Sequence, residues 1–297
     1  MRFDYFEPTS LDEASGLLRE GKGARKPLAG GTDIIIQLRR RAAGAQGLVN
    51  LKRISGLLRW SYGPGEGLRL GACTPMRELE TSAVVAERFP SIHEAIQVVG
   101  SLQLRNLASV GGNLCNASPS ADTAPPLMVL GATASVWTDE SRRETVPVES
   151  FFEGPGASVL GTGELLLSVE VPEPAPLTGD AFERFTPRSA MDIAIASAAA
   201  AVTLDAAGER IETARVALGA VAPTPIRALR AEEYVQEREP TPEVLERAGR
   251  AAMDECRPID DIRGSGPYRR ELVRILVQRV IGRAVARART NGRTDEA

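Results

Sequence analysis

The sequence has few of the side chains that build metal centres or catalyse proton transfer. Its 297 residues contain one histidine, His93, and three widely spaced cysteines, Cys73, Cys115 and Cys256. No C-x-x-C pair is present, which excludes zinc sites and iron–sulfur clusters made from cysteine, and metal sites that need two histidines are excluded too. Since His93 lies in an amphipathic helical pattern, we expect it to have a structural or surface role. With so few acid–base and metal-binding groups, we expect a bound organic cofactor or a partner to supply the hard chemistry.

Aromatic residues, excess positive charge and long apolar runs are also scarce. Aromatic side chains make up 4% of the chain and the formal net charge is −3, which argues against a nucleic-acid-binding surface. No segment approaches the roughly 18 apolar residues of a membrane helix, and the N-terminus lacks the apolar stretch of a secretory signal. The expected setting is therefore the cytoplasm.

Capping and turn signals in the first half predict alternating helices and strands. Four positions have the form of helix N-caps: Ser10 and Ser91, each opening an S-x-x-E capping box, Thr74 before a proline, and Thr32 or Asp33 after a glycine pair. Hairpins are predicted over residues 57–72 and 133–148, and a further strand over 165–171.

A proline-rich segment, Pro172–Gly179, is the predicted linker, because three prolines in five residues fit neither a helix nor a central strand. Beyond it, three antiparallel strands are predicted over 182–186, 193–204 and 214–220, and helices over 228–235, 242–255 and 267–289. Strands followed by a run of helices indicate a small α+β domain.

The last predicted helix carries seven arginines. Two interpretations are open. The arginines could form a solvated face, with cations near the helix C-terminus, or a basic face that binds a membrane or an acidic partner.

Two turns with adjacent glycines carry the strongest binding signal. Ala29-Gly30-Gly31-Thr32-Asp33 precedes a predicted helix, and Ser109-Val110-Gly111-Gly112-Asn113 has a similar form. Glycine permits positive φ and a close approach of the backbone to a ligand, and successive N–H groups can then bind anionic oxygens. A dinucleotide pyrophosphate carries two phosphates and could use both turns. Neither turn matches the G-x-G-x-x-G or P-loop pattern, so neither a Rossmann fold nor a nucleoside triphosphatase is indicated.

Residues 101–122, SLQLRNLASVGGNLCNASPSAD, resemble the flavin signature of the FAD-binding medium subunit of molybdenum hydroxylases. This is the family of xanthine dehydrogenase and carbon monoxide dehydrogenase. Residues 28–33, 164–172, 187–194 and 261–270 resemble the same family in the expected order. The resemblance therefore spans nearly the whole chain.

The resemblance implies an α+β fold with two domains. Residues 1–175 would form an FAD-binding domain of the vanillyl-alcohol-oxidase (PCMH) type, made of two subdomains. Residues 176–297 would form a small C-terminal domain with a three-stranded antiparallel sheet and helices.

The resemblance also implies an electron-transfer function without a catalytic residue or a metal ligand on this chain. A large partner subunit would oxidise the substrate at a molybdenum cofactor, and a small partner subunit would carry two [2Fe-2S] clusters. FAD on this chain would receive the electrons and pass them to an external acceptor. The implied assembly is a dimer of heterotrimers, a heterohexamer.

The cofactor-binding residues follow from the same resemblance. Both glycine turns would contact the pyrophosphate, Asp122 would hydrogen-bond near the ribityl or ribose portion, and the Leu166 backbone would lie close to the flavin ring. Arg184 stands where relatives such as xanthine dehydrogenase carry lysine, and a cation there could stabilise negative charge at the N1/O2 edge of the reduced flavin. Asp122 has an alternative interpretation as a cap or turn residue.

The sequence departs from two groups of relatives, and two alternative functions are open. Carbon monoxide dehydrogenases carry His-Ser where this chain has Thr32-Asp33, which tilts the expectation away from carbon monoxide as substrate. The three scattered cysteines cannot supply the cysteine-rich insertion of benzoyl-CoA-type relatives. The alternatives are a free-standing FAD-dependent NAD(P)H reductase or oxidase, and a scaffold that has kept the fold but lost FAD.

Overall fold

The first strands and helices form a small unit with a parallel sheet. The computed structural model describes residues 4–40, 44–138, 142–188 and 191–294. The elements of this unit are β1 (Asp4–Phe6), α1 (Leu11–Glu20), β2 (Arg25–Leu28), α2 (Ile34–Arg39) and β3 (Gly47–Asn50). Both outer strands pair in parallel with the buried β3. Helix α1 begins at its predicted capping box, since Ser10 Oγ accepts from Glu13 N at 3.2 Å.

A five-stranded antiparallel sheet and the helices packed on it form the second unit. Its elements are β4 (Trp60–Gly63), β5 (Gly67–Gly71), α3 (Met76–Glu80), α4 (Ala83–Arg88), α5 (Pro90–Val98), α6 (Leu102–Arg105), α7 (Val110–Cys115), α8 (Ala124–Val129), β6 (Thr133–Trp137), β7 (Arg143–Pro147), β8 (Phe152–Gly154), β9 (Ala157–Ser158) and β10 (Leu165–Val171). The strand order is β4-β5-β10-β6-β7, with β8 and β9 paired separately. Both predicted hairpins and the strand β10 are therefore present.

Two predicted helix caps in this unit are wrong. Helix α3 begins at Met76, whose N–H donates to Ala108 O at 2.8 Å, and the buried Thr74 hydroxyl has no partner within the described structure. Helix α5 begins at Pro90, so Ser91 lies in its first turn, and Ser91 N donates to Asp180 Oδ2 at 2.7 Å. Both partners come from distant parts of the chain, which local sequence patterns do not reveal.

The C-terminal part is an antiparallel sheet covered on one face by helices. Its elements are β11 (Thr178–Phe185), β12 (Ala196–Leu204), β13 (Ile211–Gly219), β14 (Ile226–Arg227), α9 (Leu229–Val235), α10 (Pro242–Glu255) and α11 (Gly266–Thr294). The three predicted strands and three predicted helices are present, and the short β14 adds a fourth strand. The predicted linker extended too far, because Thr178 and Gly179 already pair with β12.

Both faces of this C-terminal sheet are buried. Along β12, Ala199 and Ala201 join the core of the second unit, whereas Ala198 and Ala200 join the core under α11. Successive side chains of a strand point to opposite faces, so the four consecutive alanines at 198–201 let both layers approach the sheet closely. Phe182 of β11 also enters the core of the second unit. One face of the C-terminal sheet therefore packs directly into the core of the second unit.

Helix α5 is held by charged groups from the C-terminal half. Glu94 accepts from Phe182 N at 2.9 Å and pairs with both Arg283 and Arg287 of α11. A third arginine of that helix, Arg269, is buried and binds Asp261 at 2.7 Å. These three arginines stabilise the tertiary structure, so neither predicted role of the basic helix describes them.

Within the residues described, no helix is long and apolar enough to cross a membrane.

Replacing Thr74 by valine tests the observed start of α3. Because the variant keeps the shape and removes a buried hydroxyl without a partner, we expect the free energy of unfolding to stay unchanged or rise by about 1 kcal/mol. Thr241→Val is the matched control: Thr241 Oγ1 caps α10 by accepting from Val244 N at 3.3 Å, and losing that bond should cost about 1 kcal/mol. Urea unfolding measures both. Equal losses in the two variants would contradict the assignment.

Candidate cofactor site

The two glycine turns, far apart in the sequence, lie against each other. A Cβ atom built on Gly30 would lie 1.9 Å from Leu107 O and 3.0 Å from Ala108 Cα, which no larger residue could tolerate. Gly31 has a φ of +80°, a conformation that L side chains rarely adopt. This glycine pair therefore allows the first turn to contact the segment that leads into the second.

The second turn opens helix α7. Ser109 Oγ accepts from Gly112 N at 3.0 Å and caps the helix. Gly111 packs beside the end of β5, where an added Cβ would lie 2.4 Å from Ala72 O. Gly112 instead faces the first turn, and an added Cβ would lie 3.9 Å from the Cβ of Ala29. Gly111 therefore lets α7 pack against the end of β5, whereas Gly112 borders the space between the two turns.

A cavity of about 520 Å³ lies at these turns, within the range of roughly 300–1,000 Å³ that is typical of ligand sites. Its wall combines both turns with residues of neighbouring strands, helices and loops. Besides the turns, these are Lys26, Pro27, Ile34, Gln37, Leu51, Ala72, Cys73, Met76, Val99, Ala108, Cys115, Asn116, Gly156, Leu160, Glu164, Leu165 and Leu166. Among the described residues, none beyond Leu166 lines the cavity, so its wall comes from the first two units.

All but three of the predicted site residues line this cavity. Those that do are Ala29, Gly30, Gly31, Thr32, Asp33, Ser109, Gly111, Gly112, Asn113 and Leu166. Val110 is buried in the core of the second unit. Asp122 and Arg184 lie outside the cavity wall, so the structure does not bring them into direct contact with it.

Asp122 and Arg184 instead bind each other across the two halves of the chain. Arg184 Nη1 donates to Asp122 Oδ2 at 2.5 Å, and both side chains are buried. Burial raises the pKa of Asp122 to about 7, although the neighbouring guanidinium opposes that rise. Asp122 Oδ1 has no partner within the described structure. Asp122 is not the N-cap of α8, because Thr123 occupies that position, but it does lie in the turn that leads into this helix.

Asp33 occupies the N-cap position of α2, as predicted, but its side chain makes no capping bond. It lines the cavity, and burial raises the pKa of its carboxyl.

Three side-chain bonds around the turns were not foreseen from the sequence. Lys52 Nζ donates to Ala29 O at 2.8 Å and fixes the first turn. Gln37 Nε2 donates to Asn116 Oδ1 at 3.1 Å and links α2 with the end of α7. Thr123 Oγ1 donates to Asn113 Oδ1 at 2.6 Å. No local motif marks these residues, because each partner lies in a different part of the sequence.

The thiols near the cavity are not activated. Burial raises the pKa of Cys73 to about 11 and that of Cys115 to about 12, so both are neutral thiols near pH 7. His93 lies outside the cavity wall and its Nε2 is 2.9 Å from Glu80 O. Across the described ranges, no cluster of three metal-ligating side chains is found.

Replacing Gly111 or Gly112 by alanine distinguishes the glycine that helix packing requires from the glycine that borders the space between the turns. At Gly111 the new methyl group would lie 2.4 Å from the backbone oxygen of Ala72, so we expect a loss of about 2–3 kcal/mol in the free energy of unfolding. At Gly112 only Ser109 Oγ, at 3.1 Å, is tightly approached, and we expect a loss below about 1 kcal/mol. Thermal unfolding of the cofactor-free variants measures the difference, and a more stable Gly111→Ala than Gly112→Ala would contradict this packing.

Known proteins resemble this chain over nearly its full length. A family model described as the FAD binding domain in molybdopterin dehydrogenase matches residues 1–174, and one described as the CO dehydrogenase flavoprotein C-terminal domain matches residues 181–284. The xanthine dehydrogenase FAD-binding subunit of Escherichia coli O157:H7 is 31% identical, with 96% of both chains covered. The carbon monoxide dehydrogenase medium chain of Hydrogenophaga pseudoflava is also 31% identical, over 96% of this chain and 98% of the relative.

Solved structures agree with the sequence comparison. Carbon monoxide dehydrogenase from Hydrogenophaga pseudoflava, in a form lacking the Mo-pyranopterin moiety, superposes with a TM-score of 0.91 at 30% identity, covering 97% of this chain and 98% of that one. Quinoline 2-oxidoreductase from Pseudomonas putida 86 gives a TM-score of 0.89 at 29% identity, covering 97% and 98%. With its two glycine turns joined in one cavity, the chain belongs to the family of FAD-binding medium subunits of molybdenum-containing dehydrogenases.

Proposed function

We propose that this chain binds FAD in the cavity between the two glycine turns, as the electron-transfer subunit of a molybdenum-containing dehydrogenase. The observation that carries the proposal is the contact between the turns. Gly30 lies against the segment that precedes Ser109, so two anion-binding backbones meet at one place. A pyrophosphate is a dianionic group of the right form for such a cradle.

The residues present fit FAD. An added Cβ on Gly112 would lie 3.1 Å from Ser109 Oγ and 3.9 Å from the Cβ of Ala29, both on the cavity wall. Gly31 holds a positive φ, so larger residues at these two positions would crowd or distort the cradle. Lys26 on the wall supplies positive charge. Leu160, Leu165 and Leu166 supply an apolar section for a flat ring system.

When bound, FAD would supply the redox chemistry by accepting and releasing electrons. The residues of this chain would bind and orient it. The two turns would hold the pyrophosphate, Asn113 would offer a side-chain amide, and the apolar wall near Leu166 would exclude water from the ring. The proposed electron transfer requires no catalytic acid or base on this chain.

The partners are part of the same proposal. We infer a large subunit with the molybdenum cofactor, a small subunit with [2Fe-2S] clusters, and an external electron acceptor, arranged as a dimer of heterotrimers. The names of the relatives support this, since a xanthine dehydrogenase subunit and a carbon monoxide dehydrogenase medium chain match over 96% and 98% of their length. The domain division at residues 1–175 and 176–297 and the cytoplasmic location stay predictions.

Cofactor binding is tested with two alanine variants of the purified full-length chain. Gly112→Ala places a methyl group at the cavity, so we expect the affinity for FAD to fall at least about tenfold, equal to about 1.4 kcal/mol. Gly16→Ala is the control, because an added Cβ there meets nothing within 4 Å, and its affinity should be unchanged. Titration followed by flavin fluorescence gives both values. Absence of FAD binding by the unaltered chain would refute the proposal and revive the scaffold alternative.

The partners are tested by purification from the native host. Flavin, iron and molybdenum should elute together with this chain, at about four iron atoms per FAD if two [2Fe-2S] clusters are present. A chain that elutes alone and is reduced rapidly by NADH would instead support a free-standing reductase.

A further inference from the structure

Arg105 is a buried arginine to which the proposed cofactor contacts give no role. It is the last residue of α6 and comes shortly before Ser109, and 10% of its side chain is exposed. Among the described residues it is not part of the cavity wall. A buried guanidinium stays charged and needs partners for its N–H groups, so its partners show what it holds.

The Arg105 guanidinium binds two separate parts of the chain at once. Its Nε and Nη2 donate to the two carboxylate oxygens of Glu80, at 2.9 and 2.7 Å, in a bidentate pair. Its Nη1 donates to Val99 O at 3.0 Å. Because the planar guanidinium fixes the direction as well as the length of these bonds, Arg105 ties the last residue of α3 to the residue that follows α5.

Both ends of the segment that contains Arg105 belong to the cavity wall. Val99 lines the cavity at one end, and Ala108 and Ser109 line it at the other. Ala108 N donates to Leu104 O at 2.8 Å, which ties the second end to α6. Since the side chain of Arg105 holds Val99 O, this one residue joins the two stretches of wall.

Helix α3 is bound by this segment at both of its ends. Its first residue, Met76, lines the cavity and donates its N–H to Ala108 O at 2.8 Å. Its last residue, Glu80, accepts from Arg105 and also pairs with Arg77 at 3.1 Å, where 40% of the Arg77 side chain is exposed. The hydrogen bonds from Arg105 are the largest cause of the lowered pKa of the Glu80 carboxyl, which therefore stays charged near pH 7.

We propose that Arg105 is a positioning residue for the cofactor site, and this rests on the proposed function. Its bonds to Glu80 and to Val99 O set the separation between the wall at Val99 and the wall at Ala108 and Ser109. A cavity binds its ligand more tightly when the wall is already arranged, because ordering the wall during binding costs free energy. Arg105 acts through the wall and contacts no reacting atom.

A second arginine–carboxylate pair in the chain is a matched control. Arg227 also binds one carboxylate, that of Glu232, through Nε and Nη2, at 2.6 and 2.5 Å. The exposed fractions of the Arg227 and Glu232 side chains are 15% and 11%, and Arg227 Nη1 reaches a third group, Glu149, at 2.9 Å. These three residues lie outside the cavity wall. Breaking either pair should therefore cost similar stability, whereas breaking the Arg105 pair alone should affect cofactor binding.

The variants Arg105→Lys and Arg227→Lys of the purified full-length chain test the inference. Lysine keeps the charge but cannot form the planar bidentate pair. Without cofactor we expect a similar fall in Tm in both variants. At a temperature where both are folded, Arg105→Lys should bind FAD at least about tenfold more weakly than the unaltered chain, and Arg227→Lys should bind it normally. Equal FAD affinity in the two variants would overturn the inference.

A milder pair of substitutions covers the case in which Arg105→Lys does not fold. Glu80→Gln keeps the size of the side chain and leaves the bond from Arg105 to Val99 O, and Glu232→Gln is its control. We expect weaker FAD binding by Glu80→Gln than by Glu232→Gln, and equal affinities would contradict the role of the Arg105 pair.

Hydrogen exchange without FAD supplies a readout independent of affinity. The Met76 N–H, which bonds to Ala108 O, should exchange faster in Arg105→Lys than in the unaltered chain and than in Arg227→Lys. Unchanged Met76 exchange in Arg105→Lys, with normal FAD binding, would overturn the inference and leave the proposed function intact. If the unaltered chain binds no FAD, the proposed function fails first, and the inference fails with it.

Discussion

The close approach of Gly30 to Leu107 and Ala108 is the contact on which the site depends. The distance of 1.9 Å from a hypothetical Cβ to Leu107 O leaves no room for any side chain, so the backbones themselves touch. The small parallel-sheet unit and the larger antiparallel-sheet unit meet here, each presenting a glycine turn. The cavity exists because these two units are held at this separation, and Lys52, which donates to Ala29 O, fixes one side of it.

The C-terminal half of the chain stabilises this arrangement without lining the cavity in the described structure. Alanines on both faces of β12 let the sheet lie between two cores, and Glu94 draws two arginines of α11 onto helix α5. Helix α5 ends at Val98, next to Val99 on the cavity wall. The contacts that hold the halves together thus also hold part of the cavity wall.

Sequence patterns were reliable where the physical cause is local. Helix α10 follows its predicted bounds because Thr241 caps it and Pro242 starts it, and Ser10 caps α1 for the same reason. The glycine turns were recognisable because close backbone approach requires glycine. The prediction failed at Thr74 and Ser91, where the nearby N–H groups bond to Ala108 O and to Asp180 instead of to a local cap. The pairing of Asp122 with Arg184 could likewise not be predicted from local sequence patterns, because 62 residues separate the two.

The position of bound FAD decides whether the two turns form a single pyrophosphate cradle. A crystal or cryo-electron-microscopy structure of the FAD-loaded chain would locate both phosphates. We expect the pyrophosphate to lie between Gly30-Gly31 and Gly111-Gly112, in hydrogen-bonding contact with backbone N–H groups of both turns. A pyrophosphate bound by one turn only, or outside this cavity, would contradict it.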